Sequence, residues 1–170
     1  MKIVKTIENL LGYIENGLLV IFLTLTVGIA FLQVILREFW STGILWADVF
    51  LRHLVLWIGF LGAALAAKES RHFSIDIITK RLPPMLRRIV QVSLDLSAAA
   101  VCYFLSSAGV SFVSDEIKYN TQPLFAFLGI DIMAYHFEII IPIGFALVGI
   151  HFLFKAIEVA VTGPRSAEIV

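Results

Sequence analysis

Four long apolar stretches dominate the chain, and the charged residues gather between them. The stretches occupy 17–36, 50–67, 89–113 and 136–157. A helix that crosses a bilayer needs about 20 predominantly apolar residues, and each stretch meets or approaches that length. We therefore expect an all-α integral membrane protein in which the whole chain, 1–170, forms a single domain with four transmembrane helices.

Helix-compatible sequence continues beyond three of the four stretches. Few helix-breaking residues occur in 10–39, 85–113 and 133–161. At about 1.5 Å per residue, helices of this length exceed the hydrocarbon thickness of a bilayer. We therefore expect them to tilt or to protrude from the membrane.

The segment between the second and third stretches predicts a short helix along the membrane surface. Within 73–82, Ile77 and Ile78 fall on one side of a helix and Asp76 falls largely elsewhere. This is the pattern of an interfacial amphipathic helix. Pro83 is expected to end it, because proline removes a backbone donor and disfavours helical geometry in the residue before it.

Lysine and arginine are distributed unequally between the two sides of the predicted membrane. One side holds ten of the 13, namely Lys2, Lys5, Lys68, Arg71, Lys80, Arg81, Arg87, Arg88, Lys155 and Arg165. The other side holds Arg37, Arg52 and Lys118. Because cytoplasmic loops are enriched in these residues, both termini and the middle loop are predicted to be cytoplasmic. The remaining two loops are predicted to face the periplasm of a Gram-negative host.

Composition argues against several classes of protein. With 13 basic and 13 acidic residues the chain is formally neutral, so it lacks the surplus of Lys and Arg that nucleic-acid binding needs. At 59% hydrophobic and 15% charged, it is far more apolar than soluble domains are. Its single cysteine, Cys102, cannot form an internal disulfide. Glu8 and Glu15 are out of place in a cleaved secretory signal.

Ionisable residues near the spans are the first candidates for function, because charge is costly in hydrocarbon. Asp48 and Arg52 lie four residues apart at the outer end of the second span, with Trp46 beside them. That spacing puts the two charges on one helix face, where they can pair. We interpret them as a structural anchor that fixes helix depth or, alternatively, as a docking point for another polypeptide.

Asp95 lies well inside the third span. An aspartate at that depth needs a partner, and Arg88, Lys68 or Arg71 can supply one within the chain. A role in an ion pathway is the alternative interpretation.

Two histidines, His53 and His136, lie near the outer ends of different helices and are candidate haem ligands. Haem ligation of this kind requires both imidazoles to point into one cavity. For His72 and His151, the sequence offers no second histidine at a matching depth on another span. A haem-bearing membrane anchor of a respiratory enzyme is therefore one alternative function.

Small residues give the second and third spans smooth faces, which let helix backbones approach closely. Gly59 and Gly62 belong to the first set, and Ser97 and Gly109 to the second. The sequence shows no internal repeat or interrupted helix of the kind that forms transporter sites. It also shows no phosphate loop, nucleophile with a base, or metal-spaced ligand set. These patterns indicate a membrane subunit without a cofactor rather than an enzyme.

Two segments carry a distinctive order of residues. The segment 46–84 presents Trp46, Asp48, Arg52, Trp57, Gly59, Gly62, His72, Asp76 and Pro83, and the start of the last span presents Pro142 and Gly144 in an Ile-Pro-Ile-Gly sequence. Both segments resemble the small membrane subunit of tripartite ATP-independent periplasmic (TRAP) transporters, the DctQ-like family. Val49 departs from the family pattern, because many members carry a second acidic residue there.

The resemblance implies a transporter of three parts in the inner membrane of a bacterium. A periplasmic binding protein captures an organic acid, such as a C4-dicarboxylate or sialic acid. A large DctM-like membrane subunit holds the substrate and sodium sites. The small subunit is then a non-catalytic scaffold that stabilises the large one, with membrane lipids as a further partner.

In this interpretation Trp46, Asp48 and Arg52 form an outer anchor. A second trio, His72, Asp76 and Pro83, shapes an inner elbow. The other alternative to the scaffold is a self-sufficient, homo-oligomeric four-helix carrier. Such a carrier needs an essential membrane carboxylate, which would have to be Asp95.

Overall fold

A computed structural model describes residues 2–69, 83–119, 123–127 and 129–163 of the chain. Its helices are α1 (Lys2–Trp40), α2 (Ala47–Glu69), α3 (Pro84–Tyr119), α4 (Tyr135–Glu138) and α5 (Ile140–Thr162), and a hairpin pairs β1 (Phe125–Phe127) with β2 (Ile130–Ile132). Within this described part, four helices are long and apolar enough to cross a membrane. The predicted all-α architecture with four spans is therefore confirmed.

The predicted interfacial helix at 73–82 lies outside the described residues. Pro83 is described, and its carbonyl accepts a hydrogen bond from the Arg87 N–H at the start of α3. Pro84 is the first residue of that helix. Proline suits this position because the first helical N–H has no partner within the helix.

The helices extend well beyond the apolar stretches. α1 has 39 residues and α3 has 36, so at 1.5 Å per residue they measure about 58 Å and about 54 Å. Both lengths greatly exceed the roughly 30 Å hydrocarbon layer. The prediction that helical structure continues past the spans is confirmed, and α1 begins even earlier than expected.

The spatial order of the long helices differs from their order in the chain. α1 packs on α2, α2 packs on α5, and α5 packs on α3, whereas α1 and α5 meet only briefly. α2 and α5 are therefore central, and α1 and α3 flank them.

Small residues allow the closest approach, between α3 and α5. A Cβ at Gly109 would lie 3.1 Å from the Pro142 backbone nitrogen, and a Cβ at Gly149 would lie 3.1 Å from the Cys102 Cβ. Ser106 Oγ adds a hydrogen bond of 2.9 Å to the Pro142 carbonyl. The smooth face of the third span is thus used for packing within the chain.

The hairpin between α3 and α4 is a feature that the sequence analysis did not predict. Its strands pair antiparallel, with Phe125 opposite Ile132, and Gly129 occupies the turn at φ +79°. Each strand has only three residues, which is too short for an alternating pattern to be recognised. The hairpin brings an aromatic residue, Phe125, back onto the start of α2.

Candidate functional site

The amino-terminal end of α2, which the charge distribution predicts to be its outer end, is held to α1 by Asp48. Asp48 forms an ion pair with Arg37 of α1, with 2.5 Å between Arg37 Nη2 and Asp48 Oδ2. The expected pair between Asp48 and Arg52 is therefore wrong: in the described part of the chain, Arg52 is exposed and has no ion pair. The i,i+4 spacing permitted that contact, but α1 offers Asp48 a cation from the neighbouring helix.

Gln33 of α1 holds the connection into α2. Its side-chain amide donates to the Ile44 carbonyl at 2.8 Å and accepts from the Ile44 N–H at 3.0 Å. A weaker contact of 3.4 Å reaches Asp48 Oδ1. Gln33 is only 4% exposed, so it satisfies the backbone of the turn in a place where water is largely excluded. The sequence analysis did not single it out, although a glutamine inside an apolar run was a signal.

Trp46 belongs to a cluster of aromatic rings at the outer end. Its ring contacts Phe50, with 5.9 Å between centroids, and stacks on Phe125 of the hairpin at the same distance. Phe137 of α4 contacts both Phe50 and Phe125. The ring of Trp46 therefore links α2 to the hairpin, while Asp48 links α2 to α1.

Trp57 joins three helical segments in the interior of the bundle. Its Nε1–H donates to the Phe137 carbonyl at 3.0 Å. Its ring meets Phe22 of α1 edge-on, with centroids 5.4 Å apart. Trp57 is one of the residues that carry the family resemblance, and its contacts here are made within this chain.

His53 and His136 have different surroundings. His53 Nδ1 lies 2.9 Å from the Val49 carbonyl of its own helix, and its ring packs on Phe137. His136 is exposed and stacks on Tyr135, with its Nδ1 3.2 Å from the Met133 carbonyl. Nothing in these contacts favours a shared haem.

Gly144 and Pro142 are both buried within the bundle. A Cβ at Gly144 would overlap the ring of Phe60 on α2, so the glycine makes room for that ring. Gly62 lies beneath Leu19 of α1. These three positions serve packing between helices of this chain.

Gly59 is different, because it lies on the exposed face of α2, away from the other helices of this chain. A Cβ there would meet no atom within 4 Å. Gly59 lines a groove of about 430 Å³ on the exposed face of α2, which we call the α2 groove. The groove is lined by Arg52, Val55, Leu56, Gly59, Phe60 and Ala63. Arg52 supplies the one charged side chain among these lining residues.

Asp95 is buried, at 2% exposure, and it interacts with its surroundings. The partners suggested by the sequence have other contacts. Arg88 donates to the Ala160 carbonyl of α5, and Lys68 lies over Gly12 of α1. Arg71 lies outside the described residues, as do His72 and Asp76 of the inner elbow.

A buried acid–base pair at the inner end was missed. Glu15 of α1 and His151 of α5 are 2% and 0% exposed. His151 Nε2 lies 3.1 Å and 3.0 Å from the two Glu15 carboxylate oxygens. Lys155, one turn beyond His151, is also only 2% exposed. The sequence signal was the pair of polar residues at i and i+4 in the otherwise apolar run 139–157.

Comparison with known proteins identifies the family. The family model described as tripartite ATP-independent periplasmic transporters, DctQ component, matches residues 26–162. The chain belongs to the DctQ family. The resemblance drawn from the two sequence segments is therefore confirmed, and this DctQ chain is a small permease component of a TRAP transporter and a multi-pass protein of the inner membrane.

Three relatives illustrate the similarity of this DctQ chain to known small permeases. A putative TRAP transporter small permease protein of Haemophilus influenzae is 33% identical over 92 residues, which cover 54% of this chain and 56% of that protein. The ectoine TRAP transporter small permease protein TeaB of Halomonas elongata is 28% identical over 156 residues, covering 92% and 79%. The C4-dicarboxylate TRAP transporter small permease protein DctQ of Pseudomonas aeruginosa is 30% identical over 113 residues, covering 63% and 50%.

The matched segment spans about half of the Haemophilus and Pseudomonas relatives. The sialic acid TRAP transporter permease protein SiaT of Haemophilus influenzae is 28% identical over 105 residues, which make up 16% of its length. No solved structure matches this DctQ chain.

Proposed function

We propose that this chain is a non-catalytic scaffold subunit of a sodium-coupled TRAP transporter. Its task is to hold a large DctM-like membrane subunit in position while that subunit moves an organic acid delivered by a periplasmic binding protein. The family assignment supports this proposal. The observation that carries it is the open, flanked arrangement of the four spans, which leaves long apolar helix faces for contact with lipid and with another membrane protein.

The α2 groove is our candidate docking surface for the large subunit. Gly59 and Ala63 are exposed on a central helix, and small residues allow a partner helix to approach its backbone closely. Arg52 closes the outer end of the groove and is exposed. A transmembrane helix of the large subunit with an acidic or carbonyl group at its outer end fits these features.

Substitution of Gly59 tests this docking. Gly59→Leu adds bulk to the groove, and its new Cβ meets no atom of the chain within 4 Å. We expect the large subunit that co-purifies with the tagged small subunit from native membranes to fall at least several-fold, while the thermal stability of the isolated small subunit is retained. Quantitative mass spectrometry of the tagged complex measures the ratio.

Gly28→Leu is the matched control. Gly28 also lies in a spanning helix, and a Cβ there also meets nothing within 4 Å, but it belongs to α1 and not to the groove. Equal losses from both variants would contradict docking in the groove. A wild-type small subunit that purifies without any large polytopic partner would contradict the scaffold itself.

The relatives' names do not point to one substrate. They name ectoine, sialic acid and C4-dicarboxylate, so similarity to these proteins does not select a single compound. We propose an organic acid whose identity is decided by the binding protein and the large subunit. Exchange of this chain for another small permease in a reconstituted transporter tests this division, and the transported substrate should not change.

A further inference from the structure

A second groove lies along the start of α3, where the carboxyl-terminal end of α5 passes it. Its volume is about 630 Å³, and we call it the α3 groove. Its wall is mainly a stripe of apolar residues of α3, namely Met85, Ile89, Val92 and Leu96, and α5 contributes Ala160. Successive members of the stripe are three or four residues apart, so they share one helix face. The residues that line the α2 groove all belong to α2, so the two grooves are separate.

The wall of the α3 groove is open to the surroundings of the molecule. Met85, Ile89 and Leu96 are large and apolar, yet all three are exposed. The hydroxyl group of Ser93, which also lines the groove, donates to the Val90 carbonyl of its own helix at 2.9 Å. An apolar ligand therefore meets a nearly continuous apolar surface here.

Arg88 is the one charged side chain among the described residues that line this groove. Its Nη2 donates to the Ala160 carbonyl, which belongs to the last turn of α5, where backbone carbonyls have no partner within the helix. This bond holds the guanidinium group across the gap between the two helices. Arg88 is exposed and forms no ion pair within the described part of the chain. Its other N–H groups are therefore available to a ligand.

The guanidinium group of Arg88 selects an anion with several oxygens. It is planar, always charged, and presents its N–H groups in a fork that matches the oxygens of a phosphate. The described lining includes no acidic side chain, so a ligand that also carries a cation finds no opposite charge there. A phosphate without a neighbouring ammonium group therefore fits the groove better than a zwitterionic one.

The order of cation and apolar wall along α3 fits a phospholipid. Arg88 directly precedes the apolar stretch 89–113, and Leu96 follows it by eight residues, which is about 12 Å along the helix axis. A cation at the start of a span lies at the level of the lipid headgroups, and the wall beyond it runs into the hydrocarbon. Basic pockets between transmembrane helices bind anionic headgroups in this way. A helix of another protein would cover the wall but would bring no phosphate to Arg88.

We propose that the α3 groove binds one anionic phospholipid, with its phosphate on Arg88 and an acyl chain against Ile89, Val92 and Leu96. The bound lipid and the bond from Arg88 to Ala160 then join the start of α3 to the end of α5. The charge distribution predicts that this lipid belongs to the cytoplasmic leaflet. The site does not depend on docking of the large subunit in the α2 groove, because the two grooves lie on different helices.

Native mass spectrometry of the full chain tests this site. The chain is released from nanodiscs that contain equal amounts of phosphatidylglycerol, which is anionic, and phosphatidylcholine, which is zwitterionic. We expect one phosphatidylglycerol to be retained in preference to phosphatidylcholine by about fivefold, the effect of one cation close to an anionic membrane surface. An excess of inorganic phosphate should not displace this lipid, because free phosphate makes no contact with the apolar wall.

Variants separate the cation from the groove. Arg88→Gln removes the charge and should abolish the preference for phosphatidylglycerol. Lys118→Gln is the matched control, because it removes a positive charge from an exposed position at the opposite end of the same helix, and the preference should remain. Ser93→Phe keeps Arg88 but places a ring in the groove from an exposed position, and it should lower the retention of phosphatidylglycerol.

Several results would overturn the proposal. Equal retention of both lipids by the unmodified chain would reduce the groove to ordinary contact with hydrocarbon. An equal loss of preference in Arg88→Gln and Lys118→Gln, or displacement of the lipid by inorganic phosphate, would also contradict it. If Ser93→Phe kept its phosphatidylglycerol but lost the co-purifying large subunit, the occupant of the groove would be a helix of that subunit and not a lipid.

Discussion

At the scale of single residues, close packing between helices depends on glycines, because the missing Cβ leaves room for a side chain of the neighbouring helix. Gly144 has no Cβ, and the ring of Phe60 occupies that space. Phe60 in turn contacts Phe145 edge-on, with 5.1 Å between centroids. A glycine in the family motif is thus explained by the contact between α2 and α5, the two central helices.

Gly144→Val is expected to destabilise the chain by about 1–3 kcal/mol, because a larger side chain must displace Phe60 in a packed interior. Thermal unfolding of the purified chain in detergent measures the effect. Gly59→Ala is the control, since its new Cβ meets no atom within 4 Å. Equal stability of the two variants would contradict the packing of Phe60 on Gly144.

Trp57→Phe tests the hydrogen bond that joins α2 to α4. The phenyl ring can keep the contact with Phe22 but cannot donate to the Phe137 carbonyl. Loss of one hydrogen bond costs about 0.5–1.5 kcal/mol, so a lowered unfolding temperature is expected. Trp40→Phe, at a 66% exposed position, should leave the unfolding temperature unchanged.

At the scale of elements, the connection between α1 and α2 combines a buried amide with an exposed ion pair. Gln33 is 4% exposed, whereas the side chains of Arg37 and Asp48 are 59% and 54% exposed. Exposed ion pairs contribute little, since water competes for both charges. Buried backbone groups that lose their partner cost more. The amide of Gln33 is therefore the stronger link, although charged residues are the more conspicuous candidates in the sequence.

Gln33→Leu and Arg37→Ala measure these two contributions. The leucine leaves the N–H of Ile44 without its partner, while the Ile44 carbonyl keeps the bond from the Ala47 N–H, for an expected loss of about 1–3 kcal/mol. The alanine removes an exposed ion pair, for about 0–1 kcal/mol. Unfolding of both variants under one set of conditions gives the comparison, and a larger loss from Arg37→Ala would reverse this order.

At the scale of the whole molecule, the distribution of charge predicts how the chain sits in the membrane. The ends of α1 and α2 that carry Gln33 and Asp48 lie on the side with few lysines and arginines, and the ends that carry Glu15 and Lys68 lie on the other. The positive-inside rule places the second side in the cytoplasm. This prediction places the ends of α1 and α2 that carry Glu15 and Lys68 on the cytoplasmic side and the hairpin on the periplasmic side.

Single cysteines test this orientation. In a Cys102→Ala background, Thr42→Cys at the outer turn should react with a membrane-impermeant maleimide in intact cells whose outer membrane is permeable to it. Thr162→Cys at the end of α5 should react only after the inner membrane is opened. Both positions are exposed, so the reverse order of labelling would invert the predicted orientation.

The sequence by itself determined the four spans and their approximate limits, since hydropathy and backbone satisfaction are properties of each helix alone. It also carried the family, through residues such as Trp46, Trp57 and Pro142. Tertiary structure alone decided which charges meet. Asp48 pairs with Arg37 rather than Arg52, and Glu15 finds His151, which lies 136 positions further along the chain. The physical reason is that partners are chosen by which helices become neighbours, and the order α1, α2, α5, α3 is not written in any local pattern.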